Sequence, residues 1–165
     1  MRRLPLFLIL VLVPAFIACT GVLQSKAVEH YNNGRAFDDK RDWDGAIQEY
    51  TRAIEADPTF VKAYFNRGTD KHIKDDFHGA DADYTKVIEL NPKGVDAYMS
   101  RGTVRIFTKN LDGAAEDFTK AIELDPRPAM QKVNYRNRAA VYRLQKKLDL
   151  GATDDKTAAE LEKTP

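Results

Sequence analysis

The sequence predicts an all-α protein made of stacked helix pairs, and three observations predict it. A 34-residue period runs through most of the chain, apolar residues inside each period recur at helical spacing, and a proline closes each unit. Pro58, Pro92 and Pro126 stand 34 residues apart, as do Gly34, Gly68 and Gly102. Ala46, Ala80 and Ala114 keep the same step, each after a glycine (Gly45, Gly79, Gly113). Tyr50, Tyr84 and Phe118 keep it too, followed by Thr51, Thr85 and Thr119 and by Ile54, Ile88 and Ile122. The units are 27–60, 61–94 and 95–128.

The third unit shows why each is a helix pair. Tyr98, Gly102 and Arg105-Ile106 fall on helical spacing, and Ala114, Phe118, Ala121 and Ile122 form an i, i+4, i+7, i+8 stripe. Leu111-Asp112-Gly113 interrupts the run, which puts the turn at Lys109–Leu111. Pro126 lacks an N–H and disfavours a helical Asp125, so the second helix ends there. The small Gly102 and Ala114 allow close approach of the two helices, where a larger residue would overpack by about 1–3 kcal/mol. Trp43, Phe77 and Leu111 share one repeat position and read as packing residues.

These glycine, alanine, aromatic and proline columns resemble the tetratricopeptide repeat, with Val87 in place of the second alanine of unit two. The resemblance implies a right-handed α-solenoid of antiparallel helix pairs. A fourth, degenerate unit fills 132–165 if Arg138 matches Arg101, an offset of 37 that places three extra residues near Arg127–Met130. Its first helix keeps Tyr135, Arg138, Ala139 and Tyr142. Its second has Asp155 at the aromatic position, Gly151 at the alanine position and a polar Thr153–Lys156, so Asp149–Glu162 reads as a capping helix.

The start of the chain has a different character. Arg2 and Arg3 precede an apolar run from Leu4 to Ala18, too short for the roughly 20 residues of a spanning helix and matched to a secretory leader. Phe16-Ile17-Ala18-Cys19-Thr20-Gly21 resembles a bacterial lipobox, with Phe16 where that motif prefers Leu. The resemblance implies that Cys19 is lipidated after removal of 1–18, that 19–26 is a short tether, and that the chain is exported to the periplasmic side of the envelope. Thr20 rather than Asp after Cys19 favours the outer membrane in a double-membrane bacterium. An uncleaved signal anchor or a secreted product is the alternative.

Composition narrows the function. Lys+Arg is 26 against Asp+Glu 25, and without 1–18, which carries two arginines and no acid, the net charge moves from +1 to −1. No nucleic-acid footprint follows from that balance. One cysteine forbids an internal disulfide or a cysteine-based zinc site, and His30, His72 and His78 lack ligand spacing. The two serines, Ser25 and Ser100, sit in no GxSxG, and the glycines fall singly, so no phosphate loop forms. No catalytic residue, metal or cofactor is expected.

The resemblance instead implies a partner peptide or helix held on the concave face of the first helices. By repeat position, Val28, Tyr31, Arg35 and Asp38 line it in unit one, and Lys62, Phe65, Thr69 and His72 in unit two. Asp96, Met99, Thr103 and Ile106 follow, with Phe107 beside them, then Val133, Arg136, Ala140 and Arg143. Large apolar residues among charges mark an interaction surface, and Met adapts to varied partners. Ile106 and Phe107 read equally well as packing residues. His72 reads as a solvated surface histidine, and Asp38-Asp39 and Asp75-Asp76 as solvated turn residues. Some relatives grip a terminal carboxylate with lysine and asparagine in this groove. Here Tyr31, Arg35, Met99 and Thr103 stand at those positions and only Asn66 survives, which argues against an acidic chaperone tail. A self-associating or pilotin-like assembly role is the second reading.

Overall fold

The computed structural model of the chain describes residues 24–162. The leader 1–18, Cys19 and the tether as far as 23 lie outside the described residues, as do the last three. The described residues form eight helices and no strand. Helix α1 spans 24–38. It is followed by α2 (Trp43–Ala56), α3 (Val61–Ile73), α4 (Phe77–Leu90), α5 (Val95–Phe107), α6 (Leu111–Leu124), α7 (Pro128–Leu144) and α8 (Leu148–Leu161). The contacts divide the chain into two compact units, one ending at Ala63 and one beginning at Tyr64.

One turn design joins the helices of every pair. Arg41, Asp75, Lys109 and Lys146 each take a left-handed conformation, with φ of 58°, 63°, 63° and 61°. The next N–H then reaches back five residues, from Asp42 to the Phe37 carbonyl, Asp76 to Lys71, Asn110 to Arg105 and Lys147 to Tyr142. These bonds satisfy carbonyls that the ending helix leaves open. The same residue starts the following helix: Asp42, Asp76 and Asn110 accept from the N–H of Gly45, Gly79 and Gly113 at 3.0, 3.0 and 3.1 Å. In the fourth pair Lys147 stands at that position and offers no side-chain cap. The acidic turn pairs therefore depart from the sequence reading. Asp76 is a helix cap, and Asp38 accepts a hydrogen bond from the Tyr50 hydroxyl.

The core of the first unit is Ala46, Tyr50, Ala53 and Ala63, with Tyr31, Phe37, Ile54 and Phe60 against it. In the second unit Ala80, Tyr84 and Val104 form one cluster, and Ala114, Ala115, Phe118 and Val141 another. Within that unit α4 packs on α5, α5 on α6, α6 on α7 and α7 on α8, and α5 also touches α7. The three extra residues before α7 lengthen it to 17 residues, against 13 in α3 and α5.

The glycine column exists because an aromatic ring occupies the space a side chain would need. A Cβ on Gly34 would lie 2.6 Å from the Tyr50 ring, on Gly68 3.0 Å from Tyr84 and on Gly102 3.1 Å from Phe118. In the last pair the ring is replaced by exposed Asp155, and Ala139 occupies the glycine position. The small residue has moved to the other helix: a Cβ on Gly151 would lie 3.2 Å from the Ala139 carbonyl oxygen.

Gly34→Ala should therefore cost about 1–3 kcal/mol, because Tyr50 is also tied through its hydroxyl to Asp38. Gly102→Ala should cost less, since the ring needs to give little and alanine gains about 1 kcal/mol of helix propensity. Urea unfolding of the two variants checks the order, and a larger loss for Gly102→Ala would defeat the overpacking account.

Candidate interaction surface

A buried ion pair sets which face each first helix presents. In the second unit Arg67 donates to Asp83 through Nε at 2.9 Å and Nη2 at 2.6 Å. Arg101 grips Asp117 in the same two-pronged way at 3.0 and 2.7 Å, and Arg138 grips Asp154 at 2.8 and 2.8 Å. The remaining Nη1 of Arg101 reaches Thr85 Oγ1 at 3.0 Å, and that of Arg138 reaches Thr119 Oγ1 at 2.7 Å. One guanidinium thus joins its own second helix to the second helix of the pair before. Tyr64, Tyr98 and Tyr135 lie under these guanidinium groups at 5.6, 5.9 and 5.4 Å. The sequence reading used Arg101 and Arg138 only for alignment. The signal was present, because Arg67/Arg101/Arg138 and Asp83/Asp117/Asp154 keep the repeat step. The polar stretch Thr153–Lys156 also needs correcting, since Asp154 is buried by this clasp.

Further cations complete the pairs. Lys71 donates to Asp83 at 2.8 Å, and Arg105 bridges Asp81 and Asp117, both at 2.9 Å. Burial lifts the Asp117 carboxyl above the ordinary aspartate range, with Arg101 and Arg105 pulling the other way. The hydrogen bonds with Asp154 hold Arg138 above the usual arginine value. In the first unit Asn33 replaces the arginine, and the partner of buried Glu49 is His30, whose Nδ1 donates at 2.7 Å. Arg52 also donates to Glu49.

With that face committed to packing, the predicted groove residues can be placed one by one. Tyr31 is half-buried, its ring 5.7 Å from Tyr50 and 5.0 Å from Phe60. Phe65 is half-buried with its ring 5.6 Å from Tyr84. Both therefore help hold the core as well as line a surface. Arg35 is exposed in the first unit. Thr69 bonds back to the Phe65 carbonyl at 3.0 Å and meets the Tyr84 hydroxyl at 3.2 Å. Thr103 bonds back to the Met99 carbonyl at 2.9 Å, and Met99 is half-buried. Ile106 packs against the Ala114–Phe118 cluster. Phe107 remains 54% exposed although it stacks on Phe77 at 4.6 Å. His72 is half-buried between Phe77 and Phe107, 5.8 Å from each ring, so it belongs to an aromatic cluster rather than to open solvent. Arg136 and Arg143 are exposed and pair with Glu162 and Asp155 at 2.5 and 2.6 Å.

The site's chemistry is that of contact. Among the described residues no group of three or more His, Cys, Asp or Glu is placed to hold a metal. A shallow depression of about 400 Å³ lies on the second-helix side, lined by Asp112, Ala115, Glu116, Thr119, Tyr142 and Lys147 among others. It is open to solvent, unlike an enclosed ligand pocket.

Comparison with known proteins places this geometry. Residues 34–69 match the family model described as TPR repeat, and 95–128 match tetratricopeptide repeat. Comparison with curated proteins finds no match. Among solved structures, the crystal structure of MamA is similar with a TM-score of 0.78 and 24% identity, covering 90% of this chain and 86% of that one. MamA 41-end from Desulfovibrio magneticus RS-1 gives 0.75 at 18% identity, covering 82% and 75%. The second TPR of Spaghetti (RPAP3), bound to HSP90 peptide SRMEEVD, gives 0.65 at 28% identity, covering 68% and 97%. The matched repeats and these neighbours agree on one all-α helical-repeat fold.

The His30–Glu49 pair gives the first unit an acid sensitivity. Burial raises the Glu49 carboxyl, but the bond from His30 and the charge of Arg52 outweigh it and hold the group below the ordinary glutamate value. A lowered folded value stabilises above the unfolded pKa of about 4.3 and loses that contribution as pH falls through the folded value. Glu49→Gln should therefore melt below wild type near neutrality, with the gap closing below about pH 4. Thermal melts across that range check it, and a constant gap would mean the pair is energetically silent.

Proposed function

We propose that this tetratricopeptide-repeat chain is a non-catalytic binding scaffold that holds a segment of a partner protein on the exposed face of its first helices. The observation that carries the reading is the composition of that face in the second unit. It combines partly exposed Phe65, Met99 and Phe107 with exposed Arg136 and Arg143, while the buried ion pairs keep the opposite side of each helix occupied. Apolar side chains flanked by arginine are the residue types that carry interface energy. The bound peptide of the RPAP3 neighbour supports a peptide or helix as the occupant.

We further propose that the chain acts in a bacterial envelope, exported by its leader and held by lipid on Cys19. The apolar run 4–18 and the single cysteine after it support this. Together the acyl chains of a lipidated N-terminus would exceed the two signals needed for stable anchoring.

Variants for the groove must spare the core. Tyr31→Ala and Phe65→Ala remove rings packed on Tyr50 and Tyr84 and would lose several kcal/mol of stability. Met99→Ala combined with Thr103→Glu and Arg136→Ala changes the face and leaves both core rings in place, at the loss of the exposed Arg136–Glu162 pair. Full-length bait and this variant should be compared on a detergent-solubilised envelope extract, with Glu116→Ala on the second-helix side as control. Partners retained by Glu116→Ala and lost from the face variant are expected; an unchanged set from both would end the groove reading. Radiolabelled fatty acid should enter wild type and not Cys19→Ser, and equal labelling would remove the lipid anchor.

A further inference from the structure

Where pairs stack within the second unit, the second helix of one pair meets the first helix of the next in a fixed antiparallel register. At the α4–α5 seam Arg101 reaches Thr85 at 3.0 Å and Arg105 reaches Asp81 at 2.9 Å. At the α6–α7 seam Arg138 reaches Thr119 at 2.7 Å and Gln145 reaches Asp112 at 2.7 Å. A step of four or seven residues forward on one helix is matched by the same step backward on the other. The two seams are one by repeat position, since Arg101 corresponds to Arg138 and Thr85 to Thr119. The stacking covers these positions: Asp81, Thr85, Ile88 and Thr119 are half-buried, and Ala115 and Ile122 are buried.

The two end helices carry the same positions uncovered. On α8 the places of Ala115, Thr119 and Ile122 fall to Ala152, Lys156 and Ala159, all exposed. On α1 the place of the arginine falls to Asn33, also exposed. Arg67, Arg101 and Arg138 keep the arginine in the later first helices, and Thr51, Thr85 and Thr119 keep the threonine in the earlier second helices. The arginine is thus lost only at the first helix and the threonine only at the last. The two losses complement each other. A guanidinium against Lys156 would set like charges together, whereas the Asn33 amide oxygen can accept from the Lys156 ammonium.

Extending the internal register to α8 and the α1 of a second copy pairs the rest of the two faces. Lys40 falls opposite Asp149, opposite charges in the place where Gln145 bonds Asp112. Lys40 itself lies over the Phe37 ring, 5.8 Å away. Phe37 falls opposite Ala152, as Tyr142 packs on the cluster that holds Ala115. One pair is unfavourable: exposed Glu29 falls opposite exposed Glu160, with Lys156 one turn before Glu160 on the same helix.

We infer that the chain stacks head to tail on a second copy, the α8 face of one receiving the α1 face of the other in the register of its internal seams. The contact joins two different surfaces, so it is heterologous. Its charged groups are exposed, so it is reversible and weakens as salt screens them. It uses neither Met99 nor Arg136 and does not rest on the lipid at Cys19, so it stands apart from the partner face and from the anchor.

The test uses the full chain in detergent in a Cys19→Ser background, with Asn33→Cys in one batch and Lys156→Cys in another. Mixed and treated with a short bis-maleimide, the two batches should give a linked pair of chains, and each batch alone should give little. Lys40→Glu added to the first batch should lower the yield about five-fold, the swing between an attractive and a repulsive exposed pair, and Asp149→Lys added to the second should restore it. All four positions are exposed, and an unchanged helical spectrum checks that the fold is intact. Three results would overturn the inference: no mixed product, equal product from one batch alone, or a yield indifferent to Lys40→Glu. The first would leave the end faces as polar caps of the stack. The second would make the contact a clustering of apolar leaders or a symmetric pairing, and the third would put the copies in another register.

Discussion

Helices α5 and α7 are each held in rotation by a guanidinium that grips two helices at once. Arg101 takes both oxygens of Asp117 on its own second helix and the hydroxyl of Thr85 on the one before, and Arg138 repeats this with Asp154 and Thr119. A planar fork does this and a lysine ammonium does not, because the bonds run in fixed directions. The tyrosine one turn earlier supplies a ring beneath the charge. Burying such a pair is costly, and removing one partner leaves an uncompensated charge worth about 3–5 kcal/mol. What the clasp contributes is registry. With Arg101 fixed inward, Met99 and Thr103 on the same helix are left on the outward side, and the surface available to a partner follows from that.

The parts of the fold legible in the sequence are those whose physics is steric and local. Gly34, Gly68 and Gly102 repeat because a ring sits against each, and the prolines repeat because each pair must end. The clasp kept the same period but went unread. A repeated arginine says that a position matters without naming its partner, and Asp154 lay inside a stretch that reads as solvated. The substitution of Ala139 for glycine looked like decay in the sequence. In space it is compensation, because Asp155 stands exposed where the other pairs pack a ring and Gly151 supplies the close approach instead.

The candidate face was legible in position and less so in role. Repeat phase placed Phe65, Met99 and Thr103 on one helix side, but it could not divide a side chain between surface and core. Tyr31 and Phe65 do both, since an aromatic ring is long enough to touch Tyr50 or Tyr84 and still show an edge. His72 was misjudged for a related reason. Its neighbours Phe77 and Phe107 lie 5 and 35 positions away, and the latter contact exists only because successive pairs stack.

The turn design ties the two surfaces of the molecule together. A left-handed residue with its back-reaching bond stops every first helix, and the residue two places before it is exposed at the corner. That geometry is blind to side-chain chemistry, as Asp39 demonstrates, and selection is free to write a surface there. The same turn delivers Asp42, Asp76 and Asn110 as caps. Where the series ends, Lys147 gives up the cap, and Leu148 and Leu150 stand in the open first turn of α8. The N–H groups that the missing side-chain cap leaves open there are satisfied by water.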